Sequence, residues 1–169
     1  MKICYDNVSS DYSYPVSKKD IGEIKKIILP EITDKIRVIR FGCNTKTTQE
    51  GRIVKQGRVY DIRINFCLNN NRSLILSDRK KYIKEIKQFG GSPDFKSGFI
   101  TWKLNDAKRY SFYILFHEIG HIAFCEKYLN GNQGTKNSSA EEQWCNNFSM
   151  KLIRELEKNA LFNLPDSDK

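Results

Sequence analysis

Polar and hydrophobic positions along this chain switch between a helical period and a strand period. Ile21, Ile24, Ile27 and Ile28 recur at helical spacing behind Ser17 and Asp20, a capping pair, and Pro30 closes the run. The pattern predicts a short amphipathic helix over 18–29. Residues 1–16 are polar, show no period and read as an irregular lead-in. The β-branched stretch Ile36 to Phe41 predicts a first strand, followed by a polar loop through Asn44 and Thr48. Tyr60, Ile62, Ile64 and Phe66 then alternate with Val59, Asp61, Arg63 and Asn65, as in a strand with one buried face. Asn69, Asn70 and Asn71 read as a turn, and Ser73 to Leu76 as a returning strand. Asp78 caps a lysine-rich helix over 79–88, with Tyr82, Ile83 and Ile86 inward and Gly90-Gly91-Ser92-Pro93 as its stop. Residues 98–104 predict one further strand.

From Asn105 or Asp106 the chain reads as a helix apolar over most of its circumference, through Tyr110, Phe112, Ile114, Leu115, Phe116, Ile119, Ile122 and Phe124. Such a helix belongs in the middle of a domain. Gly131 to Lys136 is a glycine-rich loop, Ser138 or Ser139 caps the last helix, and Trp144, Phe148, Leu152 and Leu156 form its core stripe. Residues 162–169 read as a flexible tail. Together these elements predict a single α+β domain over 1–169. Its small, twisted, mostly antiparallel sheet packs on a buried central helix and a C-terminal helix.

Composition narrows the class. With 169 residues, 39% of them hydrophobic, the chain has enough apolar surface for one core. No window approaches the roughly 18 uncharged apolar residues of a membrane span, and the first residues lack a signal peptide's apolar segment. Five cysteines, odd in number and without a C-x-x-C pair, spell neither a disulfide framework nor a cysteine-only zinc site. A soluble protein of the reducing cytoplasm, without a membrane partner, is the expectation. The net charge of +9 is uneven: residues 1–110 carry 23 basic and 12 acidic side chains, residues 111–169 carry 6 and 8. A basic half attracts nucleic acid or acidic protein segments, yet a solvated lysine-rich face is the commoner origin of such a bias, so nucleic acid is not the favoured partner.

The chemistry is concentrated in His117-Glu118-Ile119-Gly120-His121, an H-E-x-x-H pattern inside the apolar helix. On a helix, positions four apart share one face, so two imidazoles reach a single zinc ion, with one zinc expected per chain. Glu118, between them, takes a proton from a zinc-bound water without itself being a ligand. The chain holds only these two histidines, and burying both beside a carboxylate is costly without a metal. The third ligand must then be a carboxylate or a cysteine. On the last helix, periodicity points Glu141 into the apolar stripe, whereas Glu142 has Asn146 one turn on, where its amide oxygen accepts from the free N–H of a liganding histidine. Cys125 and Cys145 read as small core residues.

The segment Glu142-Gln143-Trp144-Cys145-Asn146-Asn147-Phe148, separated from His121 by 20 intervening residues, together with the H-E-x-x-H helix, resembles the gluzincin pattern of thermolysin-like enzymes. The short spacing looks most like the ImmA/IrrE-type metallopeptidases, with Trp144, Cys145 and Ser149 standing where their second motif carries glutamate and two alanines. This resemblance implies a zincin-like minimal gluzincin fold, with His117, His121 and Glu142 as zinc ligands, Glu118 as general base and Asn146 behind a ligand. Glu141 is held in reserve as the alternative ligand. It also implies a zinc-dependent endopeptidase acting on a specific intracellular protein, such as a DNA-binding transcriptional repressor, with a link to mobile elements. Such proteases hold substrate as an added strand, and Phe99, Ile100, Thr101 and Trp102, just before the active helix, form the candidate edge. Two other readings stay open: a phage or plasmid host-takeover protease, and a basic nucleic-acid-binding protein with a structural zinc.

Overall fold

The computed structural model describes residues 1–43, 50–75, 82–131 and 138–158. Its first half contains β1 (Lys2–Tyr5), β2 (Tyr12–Ser13), α1 (Lys18–Ile24), α2 (Pro30–Thr33), β3 (Ile36–Gly42), β4 (Gly51–Gln56), β5 (Val59–Asn65), β6 (Leu68–Asn69) and β7 (Arg72–Leu74). The second half contains α3 (Ile83–Gln88), β8 (Ser92–Asp94), β9 (Phe99–Thr101), α4 (Leu104–Tyr128) and α5 (Ser139–Lys158). The fold is α+β, and no helix among the described residues is long and apolar enough to cross a membrane.

The strands form two sheets, of order β1-β3-β5-β4 and β2-β6-β7-β9-β8. Every pairing in the second is antiparallel, whereas in the first β3 is parallel to both β1 and β5 and only β4 runs antiparallel. The expectation of one mostly antiparallel sheet is corrected accordingly. Parallel neighbours need a crossover, and α1 and α2 supply it between β1 and β3. The lead-in is not irregular either. β1 and β2 lie within it, too short to show a period, and are tied to the core through Tyr5 stacked on Phe41 with ring centroids 5.0 Å apart.

Ser17 and Asp20 form a capping box that starts α1, as expected. The helix ends at Ile24 rather than continuing to Leu29, and Pro30 opens α2 at its first turn, where a missing N–H costs nothing. β4 is an element that the patterning did not predict. Its hairpin to β5 turns at Gly57, at φ 63°, which glycine adopts freely. Asn70 and Asn71, at φ 48° and 60°, make the tight turn that the asparagine run predicts, here joining β6 to β7. Asn44, Thr48 and Asp78, most of the loop from Gly131 to Lys136 and the tail over 162–169 lie outside the described residues.

Cys43 and Cys67, which follow β3 and β5, are joined in a disulfide with Cα atoms 5.4 Å apart. The odd, scattered cysteines spelled no disulfide framework, and one such bond is nevertheless present. The two are 24 residues apart in sequence, and the parallel strands bring their ends together.

α4 packs on the inner face of the four-stranded sheet, where Ile39, Phe41, Tyr60, Ile62 and Ile64 are buried. α5 lies along α4, and Gly120 sets how closely: a β-carbon there would sit 3.1 Å from the Cys145 Cα. The buried face of α5 runs through Glu141, Cys145, Ser149, Leu152, Ile153 and Leu156. That is rotated about 50° from the expected stripe, counting 100° per residue. Small residues permit the approach, while Trp144 and Phe148 are displaced to the rim, where Trp144 stacks edge-on against Phe124 at 5.7 Å.

Candidate metal centre

The single turn between His117 and His121 puts their rings 4.8 Å apart, with the two Nε2 atoms at 3.1 Å. Their Nδ1 atoms face α5. His117 Nδ1 lies 2.9 Å from Asn146 Oδ1, and His121 Nδ1 lies 2.8 Å from Glu141 Oε1. An oxygen acceptor at each Nδ1 places the proton there and leaves the Nε2 lone pair available to a metal. Glu142 completes the group, with Oε2 at 3.2 Å from His117 Nε2 and Oε1 at 3.6 Å from His121 Nε2. One ligand atom from each of the three residues falls within 4.8 Å of the others. Bonds of about 2.0–2.2 Å around one tetrahedral ion require donor atoms roughly 3–4 Å apart, so these residues fit zinc in type and in spacing.

The rotation of α5 decides which glutamate does what. Glu141, near the buried face, stands behind His121, while Glu142 and Asn146 share the flank that faces the histidines. Ser138 anchors the start of this helix, its hydroxyl accepting from the Glu141 N–H at 3.1 Å. Tyr113, which the sequence reading did not single out, donates its hydroxyl to Asn146 Oδ1 at 2.9 Å. The signal was present: Tyr113 lies four residues before His117 and hence on the same helical face.

Glu118 is 8% exposed, and burial pushes its carboxyl up to about 7 against the opposing pull of His117. Burial pulls His117 down, but its hydrogen bond to Glu142 and the charge of Glu118 outweigh this and leave it raised. Burial, followed by the nearby Glu141 and Glu142 charges, raises the Cys145 thiol, which keeps it protonated and suits it to the core. Cys125 is likewise buried.

The candidate substrate edge at Phe99 to Trp102 is not an edge. β9 pairs with β7 on one side and β8 on the other, Ile100 is fully buried, and Trp102 stacks on Tyr110 while donating its indole N–H to Ser73. Adjacency in sequence to α4 suggested it, but the chain reverses into the second sheet first. The edge strand beside α4 is β4, whose Gly51 abuts Glu118.

No protein-family model, no curated protein and no solved structure matches this chain.

Proposed function

We propose that this chain is a zinc-dependent endopeptidase of the gluzincin class, of the ImmA/IrrE type, acting on a specific protein such as a DNA-binding regulator. The observation that carries this reading is the convergence of His117, His121 and Glu142, with each imidazole held from behind by an oxygen of α5. A purely structural site has no use for a fourth group like Glu118, buried and beside the histidines without joining the donor set.

Zinc, when held by these three residues, supplies Lewis acidity and acidifies a water molecule. Glu118 accepts the proton of the attacking water and returns it to the leaving amine, a role that a carboxyl poised near neutrality performs well. Asn146 and Glu141 fix the ring orientations. β4 offers the substrate an edge that no strand among the described residues covers. The hydrogen bond from the Asn65 N–H to the Glu50 carbonyl sets the phase of the ladder, so Gly51, Ile53 and Lys55 turn their N–H and C=O groups away from β5. An extended peptide added there would pass Glu118 at Gly51.

The test is elemental analysis of wild type and Glu142→Ala after zinc is offered, followed by mass-spectrometric profiling of a peptide library with wild type and Glu118→Gln. The expected result is about one zinc per wild-type chain, cleavage by wild type alone, and full zinc in Glu118→Gln. Absence of zinc from wild type overturns the reading. Zinc without any cleavage that depends on Glu118 replaces it with the structural-zinc reading.

A further inference from the structure

The face of the four-stranded sheet turned away from α4 carries a charge arrangement that the metal centre does not use. Cys4 pairs with Arg40, Arg40 with Arg63, and Arg63 with Arg52, so these four side chains form one row across all four strands. In-register neighbours lie about 5 Å apart on one face, and like charges placed so destabilise a sheet. One carboxylate relieves part of the cost: Asp6 receives Arg40 at 3.1 Å and Arg63 at 2.8 Å. Gly42 leaves the room for that contact, since a β-carbon there would lie 2.6 Å from Arg63 Nη2. Arg52 is exposed and has no ion-pair partner among the described residues. In the adjoining row Lys2, Val38, Asp61 and Val54 stand in register, with Asp61 taken up by Arg37 and Val54 40% exposed.

We propose that this outer face docks an acidic, partly apolar protein segment. Charge complementarity selects an anionic partner, since among the described residues the face holds Lys2, Arg37, Arg40, Arg52 and Arg63 against Asp6 and Asp61 alone. The valines, and the lack of aromatic rings on this face among the described residues, choose between anionic classes. Single-stranded nucleic acid is held by aromatic stacking, and a phosphate backbone gains nothing from Val38 and Val54, whereas a protein segment buries them. Arginine forks already oriented by Asp6 and Asp61 present their remaining N–H groups to carboxylates at little entropic cost. The site lies on the opposite face of the sheet from α4, so its occupancy is separable from zinc binding.

Fluorescence anisotropy of a labelled peptide of glutamates interspersed with leucines, titrated with the full chain, tests this. Arg40→Gln/Arg52→Gln is expected to weaken binding at least about tenfold, while Lys84→Gln/Lys87→Gln, which removes the same charge from exposed positions of α3, changes it less than about twofold. Equal losses in the two variants, or no binding by wild type, overturn the proposal. So does a duplex DNA that displaces the peptide and depends on the same arginines, which would assign the face to nucleic acid. Unchanged zinc content and thermal midpoint certify the variants. Arg52→Gln alone, which breaks no ion pair seen here, serves if the double variant unfolds, and is expected to weaken the peptide about threefold, an unchanged affinity again overturning the proposal.

Discussion

The backbone of Gly51 rests directly on the carboxylate of Glu118: a β-carbon at position 51 would lie 2.5 Å from Glu118 Oε1 and 2.8 Å from its Cγ. Strand β4 and helix α4 therefore meet at Glu118, the proposed general base, and the absence of a side chain is what lets them meet. Gly51→Ala is expected to displace either the strand or the carboxylate. Misplacement of a reacting group by about 1 Å costs on the order of 10²-fold in rate, so hydrolysis should fall by about that factor while zinc content stays at the wild-type level. Peptide-cleavage rates and elemental analysis on the same preparation check both halves. Wild-type rates in Gly51→Ala would show that the contact has no part in the chemistry.

The two glutamates at the start of α5 make distinct predictions. Glu142 lies among the imidazole Nε2 atoms, and Glu141 lies behind His121. Glu142→Ala removes a donor and should abolish stoichiometric zinc. Glu141→Ala and Asn146→Ala remove only the acceptor behind a ring, and each should weaken zinc by about 10–100-fold. Competition with a chromophoric chelator measures all three. Zinc lost in Glu141→Ala and retained in Glu142→Ala would exchange the two roles.

These residues also mark where the sequence was informative. H-E-x-x-H declares itself because helical spacing alone aligns its side chains, and the partnership of Glu142 with Asn146 follows from the same spacing. The role of Glu141 did not follow, because the facing of α5 is set by contact at Gly120, Cys145 and Ser149. Small residues carry little weight in a hydrophobic pattern, so the pattern followed Trp144 and Phe148 to the wrong meridian. β4 was illegible for a related reason: as an edge strand it buries only one side partially, and its sequence Gly-Arg-Ile-Val-Lys-Gln is largely polar. The interior strand β5 and the buried helix α4 were legible because their neighbours demand apolar residues.

The disulfide between Cys43 and Cys67 pins the ends of β3 and β5, from which the chain runs to Gly51 and returns. Closing a loop of this length removes unfolded-state entropy equivalent to about 3 kcal/mol. Reduction, or Cys43→Ser, should lower stability by about that amount in urea unfolding. Free-thiol titration of the native protein checks the pairing directly. Five reactive thiols in the denatured, unreduced protein, with no effect of reductant on stability, would show that the bond does not form.

Stability of the metal-free protein should fall as pH rises, opposite to the usual behaviour of surface carboxylates. The Glu118 carboxyl is held up to about 7 in the folded chain against 4.5 ordinarily, so between those values the folded state binds the extra proton. Stability is then lost through that interval, by at most about 3 kcal/mol for a shift of this size. His117 acts in the same sense: raised above 6.5, it contributes stability that is complete below that value and disappears as pH passes its folded one. Zinc reverses the trend, because His117 must be neutral to receive it, so the stabilisation from added zinc should grow as pH rises through the folded value of His117. Urea unfolding in a chelator at pH 5 and pH 7.5, repeated with Glu118→Gln, separates the contributions. The glutamine variant should lose the part of the decline that begins below pH 6, and keep only that share of the His117 part owed to Glu142 and Asn146, since the Glu118 charge that also raises His117 is gone. An equal decline in both proteins would place the titrating group elsewhere.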